Sequence, residues 1–486
     1  MQDKKTKTVN GFFWSIFDNY IGLIANFIIG IILARLLSPS EFGLMGMIVI
    51  VTSVSVALID SGLSQALIRR KKVENSEYNT TFIFSVASAF FLYLAIYFLS
   101  PHISSFFNED KLVPIIRVSA LSIILQAFFI VHRTILIRII NFKIQAKATF
   151  ISSLLSGLIG VFMAFSGYGI WSLVVQVLSR QLFLLLFFYY KVRWLPKFEF
   201  SYSIFKELYS FGYKILLSGL LFTISKNMYY VVIGRYYSPS SLGQYTKAES
   251  FNSVFTVSLT NAIQRVTYPI LSTIQNDNEA LKTEYKKIIQ VVAFFSISLS
   301  LGISAISEPL VLLLIGEQWA ESIIYLQILC IAGVFHPLIN INLNVLKVKN
   351  RPDLFFKLEI LRNVVLLVPN IFVGIYFGII YMLWGYVLIC FFSFLINGFV
   401  SSKIVQYSLS EQIKDMLFVL IVSIIVSLCM YFVTMLGLSN AVTIFIQVII
   451  GISMYLCIYE FSQFKTYCMI KKYLINNIAK YKAKKK

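Results

Sequence analysis

The sequence predicts an all-α integral membrane protein. About fourteen transmembrane helices are expected: two six-helix parallel repeats forming two lobes around a central cavity, plus two C-terminal helices. Three observations predict this. Of 486 residues, 58% are hydrophobic and only 13% are charged, against roughly 25% charged in a soluble domain. The apolar residues fall in runs of about 20, the length that crosses a hydrocarbon core. And one phrase recurs: ARLLSPSEFG, from Ala34 to Gly43, returns as GRYYSPSSLG, from Gly234 to Gly243, at a shift of 200 residues.

Spans are read near 11–36, 42–67, 80–100, 113–137, 148–166, 170–190, 211–235, 244–264, 288–307, 322–345, 358–377, 379–402, 415–436 and 440–461. The basic start MQDKKTKTVN leads into an apolar run too long for a signal peptide and without a clear cleavage site, so it reads as a retained first span. The fourth and eighth spans carry the most polar residues.

The net charge of +20 would suggest nucleic acid in a soluble protein. Here it is read by position. RRKK (69–72), RIINFKIQAK (138–147), YKVRWLPK (190–197), KVKNRPD (347–353) and the tail KYKAKKK (480–486) all fall on one side. The opposite loops are short and nearly free of lysine and arginine. The positive-inside rule therefore predicts that both termini are cytoplasmic. The basic tail suits either anionic lipid heads or plain solvation.

The repeat extends past the phrase. IRIINFK (137–143) lies opposite LKVKNRP (346–352), and Gly169 lies opposite Gly378, both at a shift of 209. One insertion explains the change from 200. An even number of spans per copy makes the repeat parallel, related by an axis along the membrane normal. The predicted organisation is a first six-helix lobe over 1–190 and a cytoplasmic linker over 191–210. A second six-helix lobe covers 211–402, two additional helices 403–464, and a basic tail 465–486. The repeated phrase also has a local role: Ser38 suits a helix cap, Pro39 the first turn and Glu41 a capping box. In the second copy Ser241 stands where the glutamate was. Arg35 and Arg235 precede the turns, where they either snorkel to the interface or form a basic ring at the outer mouth.

ARLLSPSEFG, the run DSGLSQALIRRK (60–71) and LIGEQW (314–319) resemble the polysaccharide-exporter branch of the multidrug/oligosaccharidyl-lipid/polysaccharide (MOP) superfamily. The similarity is to Wzx-type flippases for lipopolysaccharide O-units or exopolysaccharide. The resemblance implies a two-lobed bacterial inner-membrane protein that moves undecaprenyl-diphosphate-linked oligosaccharides outward by alternating access, without being an enzyme. It implies a lipid-linked substrate, with polysaccharide assembly proteins as further partners. It transfers no catalytic signature.

Such cargo needs a hydrated groove with cations for the diphosphate and polar groups for the sugars. A charge at the bilayer centre costs roughly 2.5–3.5 kcal/mol even on the mildest scale, so it should face that groove. Lys226, mid-way along the seventh span with Asn227 beside it, is the sharpest candidate; its counterpart in the first span is Asn26. The alternative is a lysine paired structurally with a buried acid. Arg117, Arg180, Asn261 and Gln264 are further cavity candidates. Asp18, Asp60 and Glu249 are candidates for ion coupling or ion pairing, with Glu249 and Lys247 near the outer end of the eighth span. Tyr229, Tyr230, Tyr236 and Tyr237 suit either sugar stacking or an interfacial belt.

Other chemistry finds little support. His102, His132 and His336 lie far apart and offer no metal-ligand spacing. The five cysteines form no CxxC pair. No nucleotide-binding GxxxxGK[ST] loop is present. No cofactor is expected, and a proton or sodium gradient, or product removal, would drive transport. Competing readings are a membrane polysaccharide polymerase or ligase and a drug exporter of the same superfamily. The short outer loops leave little room for a polymerase's catalytic domain.

Overall fold

A computed structural model describes residues 22–472, apart from four side chains at 257, 262, 265 and 266. The described residues are helical and turn-connected, with no strand among them. Each of the fourteen expected spans meets a helix. They begin with α1 (Gly22–Leu36), α2 (Pro39–Asp60), α3 (Leu63–Arg69) and α4 (Asn75–Phe107). α5 (Leu112–Ser119), α6 (Leu121–Arg138), α7 (Phe142–Phe165) and α8 (Ile170–Val192) follow. Then come α9 (Tyr202–Tyr236), α10 (Pro239–Thr273), α11 (Asn278–Ile315), α12 (Glu321–Gly333) and α13 (His336–Val348). α14 (Pro352–Ile360), α15 (Leu367–Phe377), α16 (Ile379–Val405), α17 (Leu409–Thr434) and α18 (Asn440–Phe461) complete the order.

By length and apolarity, 12 of these helical runs could cross a membrane among the described residues. Two expected spans fall outside that number for different reasons. The first begins before the described residues. α10 has 35 residues, ample length, but too polar a sequence. Several helices overrun the expected spans at the basic side, as α4 and α9 do, because polar helix outside lipid leaves no hydropathy signal.

Three of the expected spans are broken; in the fourth, α5 gives way to α6 at Ala120. The second stops at Asp60, where Ser61 and Gly62 take positive φ of 46° and 70°, and resumes as α3. The tenth breaks between α12 and α13, where Pro337 opens the new helix. A π-helical stretch, Leu361–Leu366, separates α14 from α15. Such stretches are rare and often mark functional positions.

The chain divides into two compact units, Met1–Thr246 and Lys247–Lys486. In the first, Phe129, Leu136, Ala148 and Phe188 form a core cluster from α6, α7 and α8. α9 packs against α2, α3 and α4. The extended segment after α8 is clamped onto the start of α4: Lys197 N donates to Asn79 Oδ1 at 3.1 Å and Ser201 N to Thr80 Oγ1 at 3.2 Å. In the second unit, α17 and α18 pack on α11. Ala305, Val422, Val426, Met430 and Tyr459 form the core there.

The repeated phrase has a tertiary reason as well as a local one. The capping box forms, with Ser38 N donating to Glu41 Oε2 at 2.7 Å. In the second copy the bond runs the other way, from Ser241 N to Ser238 Oγ at 3.1 Å. The two turns also lie against each other within the first unit. A Cβ on Gly43 would sit 1.7 Å from Pro239 O, and one on Gly243 1.8 Å from Pro39 O. Only glycine permits so close a backbone approach. The contact is reciprocal between the two copies of the motif.

Candidate functional site

The site is built from helix depth. One helical residue rises about 1.5 Å, so about ten residues reach the middle of a 30 Å hydrocarbon core. Lys226 lies about that far, about 15 Å, from the Tyr236 end of α9 and is exposed. Asn227 turns the other way: it is buried and donates from Nδ2 to Thr223 O at 2.8 Å. Adjacent residues on a helix point about 100° apart, so only one of the pair can face an aqueous groove. Asn26, the counterpart in α1, is half-buried.

Arg180 sits at a comparable depth, about 15 Å from the Ile170 end of α8. Its Nε is buried without a hydrogen-bond partner among the described residues. The charge next to it is Arg133 on α6. Asp60 belongs to the same neighbourhood. Ser64 hydrogen-bonds to its carboxylate and Arg133 acts on it electrostatically, while Oδ1 is buried and unpartnered among the described residues. Thr134 Oγ1 donates to Ser64 Oγ at 3.1 Å and closes the cluster. Arg133, itself exposed, thus acts electrostatically on both Arg180 and Asp60 within the first unit. Buried polar groups that lack partners normally meet water or a ligand.

The other candidates are placed differently. Arg117 is tied to its own bundle: Nε donates to Ser100 Oγ at 2.9 Å and the guanidinium lies 4.2 Å from the Tyr97 ring. Arg235 staples the end of α4, donating to Phe106 O at 2.6 Å and Asn108 Oδ1 at 2.8 Å. Arg35 is exposed. Tyr229 and Tyr230 pack their rings on Tyr245, 6.3 and 5.4 Å away, and Tyr236 is exposed. Asp18 lies outside the described residues.

In the second unit, α10 carries Glu249, Asn261 and Gln264, all half-buried. Gln264 Nε2 donates to Asn340 Oδ1 at 2.8 Å. Because α10 starts at Pro239, Lys247 and Glu249 lie about 12 and 15 Å along it, deeper than a span starting at 244 implied. Lys247 is buried, 5.8 Å from the ring of the fully buried Trp319. That contact gives the LIGEQW motif a job: its tryptophan anchors the turn between α11 and α12 over a buried cation. Sequence reasoning passed over Arg133 and the polar surroundings of His336, and it placed Lys247 at the outer end of its span.

No group of three or more His, Cys, Asp or Glu suited to a metal occurs among the described residues. All five cysteines are free.

Residues 32–324 match the family described as "Polysaccharide biosynthesis protein". The chain belongs to this family. Among polysaccharide biosynthesis proteins it is similar to the teichuronic acid biosynthesis protein TuaB of Bacillus subtilis (strain 168), 24% identical over 74% of this chain and 75% of that one. It is similar to the lipopolysaccharide biosynthesis protein WzxC of Escherichia coli (strain K12), 24% identical over 84% and 83%. The succinoglycan biosynthesis transport protein ExoT of Rhizobium meliloti (strain 1021) is 28% identical over 67% and 66%. In fold it resembles the lipid II flippase MurJ in an inward closed conformation, with a TM-score of 0.74, 16% identity and coverage of 96% and 100%. An inward-facing multidrug resistance MATE transporter of the MOP superfamily gives 0.62, with 16% identity over 81% and 94%. The likeness to MurJ and to the MATE transporter is one of fold, the MOP fold that the family resemblance implied.

Proposed function

We propose that the protein is a flippase. It carries undecaprenyl-diphosphate-linked oligosaccharide units across the bacterial inner membrane by alternating access, with both termini cytoplasmic. The observation that carries the reading is Lys226: an exposed ammonium about 15 Å along α9 from the nearer helix end. An ion at that depth demands a hydrated surface, and an ammonium is a suitable partner for a diphosphate. Arg180 and Arg133 supply further positive charge within the same unit, with Asp60 as the internal anion. The relatives' roles, transport in succinoglycan biosynthesis and lipopolysaccharide biosynthesis, support the same substrate class.

The chemistry that clustered cations support is binding and release of an anion. A substrate that carries its own polyprenyl tail needs only its head group sheltered. The drug-exporter alternative would leave the cluster of cations in the first unit without an anion to meet.

The test is the sidedness of lipid-linked glycan in cells that lack the protein. Complete units trapped in the cytoplasmic leaflet, and released by restoring the gene, are expected. Units that reach the outer leaflet normally but stay unpolymerised would move the function to polymerisation.

A further inference from the structure

The second unit holds a polar cluster that the flippase reading leaves unused. α13 begins at His336, at the break in the middle of the Glu321–Val348 run. Its imidazole is half-buried. Nε2 lies 2.7 Å from Tyr386 Oη and 3.8 Å from Cys390 Sγ, both on α16. From the π-helical stretch, Arg362 reaches near enough to act on the ring, and it pairs with Glu359 at 2.9 Å. Asn363 Nδ2 also donates to Glu359, at 3.2 Å.

Among the described side chains, the neighbouring elements present mainly neutral groups here; on α10, Arg265 lies next to Gln264. α11 has no titratable residue between Lys287 and Glu308. α12 contributes Cys330, which is buried. α10 approaches through the neutral chain Gln264–Asn340, and Asn340 Nδ2 donates to the His336 carbonyl at 2.9 Å. A histidine in mid-membrane, beside a hydroxyl that can donate or accept and near the Arg362–Glu359 pair, has a partner for Nε2 in either protonation state.

We infer that His336 carries an exchangeable proton, loaded and released at Nε2 against Tyr386 Oη, and that this proton couples transport to a proton gradient. In the neutral ring with the proton on Nδ1, Tyr386 O–H donates to the Nε2 lone pair. When water delivers a proton to Nε2, the new N–H donates to Tyr386 Oη, whose own hydrogen turns away. Release to water on the other side reverses both steps, so one proton is taken up and one given back. Arg362 shares the site as a like charge. Any change in its pairing with Glu359 therefore changes the cost of charging His336, and the π-helical stretch supplies a place for that pairing to shift.

The proposal rests on the flippase reading, and the experiment separates the two. The full chain is reconstituted in vesicles with a fluorescent undecaprenyl-diphosphate N-acetylglucosamine. A gradient of about one pH unit should shift the wild-type steady-state distribution by up to about tenfold for one proton per lipid. His336→Gln should still move the lipid at equal pH but show no shift. Tyr386→Phe, which keeps the imidazole, should remain coupled with a displaced pH profile. Full coupling in His336→Gln, no response of the wild type to pH, or a response to sodium instead would overturn the assignment. If His336→Gln fails to fold, an unchanged pH profile in Tyr386→Phe overturns it. A wild type that moves no lipid at all overturns the flippase reading instead.

Discussion

Adding one methyl group at Gly43 or Gly243 should pry two helix starts apart. A Cβ at Gly43 would lie 1.7 Å from Pro239 O and 2.6 Å from its carbonyl carbon. Ordinary carbon–oxygen contact begins near 3.3 Å, so α2 and α10 must separate by about 1.6 Å. The obstacle is backbone, not the far end of a flexible side chain, so it cannot swing aside. A gap above 1 Å forfeits more than half of the local dispersion contacts. Overpacking of this kind costs about 1–3 kcal/mol. Alanine returns about 0.5–1 kcal/mol of helix propensity, leaving a net loss of up to about 2.5 kcal/mol for each single substitution. For a unit of this size that is a fall of up to about 10 °C in the thermal midpoint.

The reciprocal geometry makes a sharper claim about the double variant. Gly243→Ala meets Pro39 O at 1.8 Å across the same seam. Once one methyl has opened the seam, the second enters space already cleared. Gly43→Ala/Gly243→Ala should therefore melt close to the worse single variant, a large coupling in a double-mutant cycle. The assay is the melting midpoint of the purified proteins in detergent. Simple additivity, or single variants that melt higher than wild type, would refute the shared seam.

Further predictions concern capping and charge in the first unit. Glu41→Ala removes the acceptor for Ser38 N and should cost about 0.5–2 kcal/mol, read as a lower midpoint; no change would mean the capping box is idle. Arg70 pairs with both Glu77 and Glu207, and Glu77 is buried. Arg70→Ala should therefore cost about 2–4 kcal/mol, somewhat less than a fully buried pair because Arg70 is partly exposed. Adding Glu77→Gln should recover part of that loss in the same melting assay, because the stranded carboxylate is then neutral.

Much of the fold was legible because lipid imposes a simple rule: each crossing needs a long apolar run. All fourteen expected spans meet helices, and the parallel repeat follows from SPS and its glycine recurring after 200 residues. Hydropathy is blind where a helix leaves lipid or carries polar side chains. α9 therefore starts at Tyr202 instead of 211, and α10 starts early enough to carry Lys247 and Glu249 deeper. The break at Ser61–Gly62 was written in the sequence as DSG but sits inside an apolar run, where it reads as ordinary helix. That the two phrases touch is a tertiary fact, visible only once Gly43 faces Pro239. For the site, single mid-span charges such as Lys226 and Arg180 stood out by cost alone. Arg133 did not, because near the basic end of α6 it looks like one more positive-inside residue.

The central claim is that a cation at mid-membrane handles the diphosphate of a lipid-linked glycan. The direct measurement compares wild type, Lys226→Ala and Lys226→Arg in vesicles holding fluorescent undecaprenyl-diphosphate N-acetylglucosamine, with equal amounts of folded protein. Wild type and Lys226→Arg should move the lipid, and Lys226→Ala should lose about tenfold or more in rate, the equivalent of one charge-assisted bond of about 1.4 kcal/mol or more. Equal rates for all three would contradict the account.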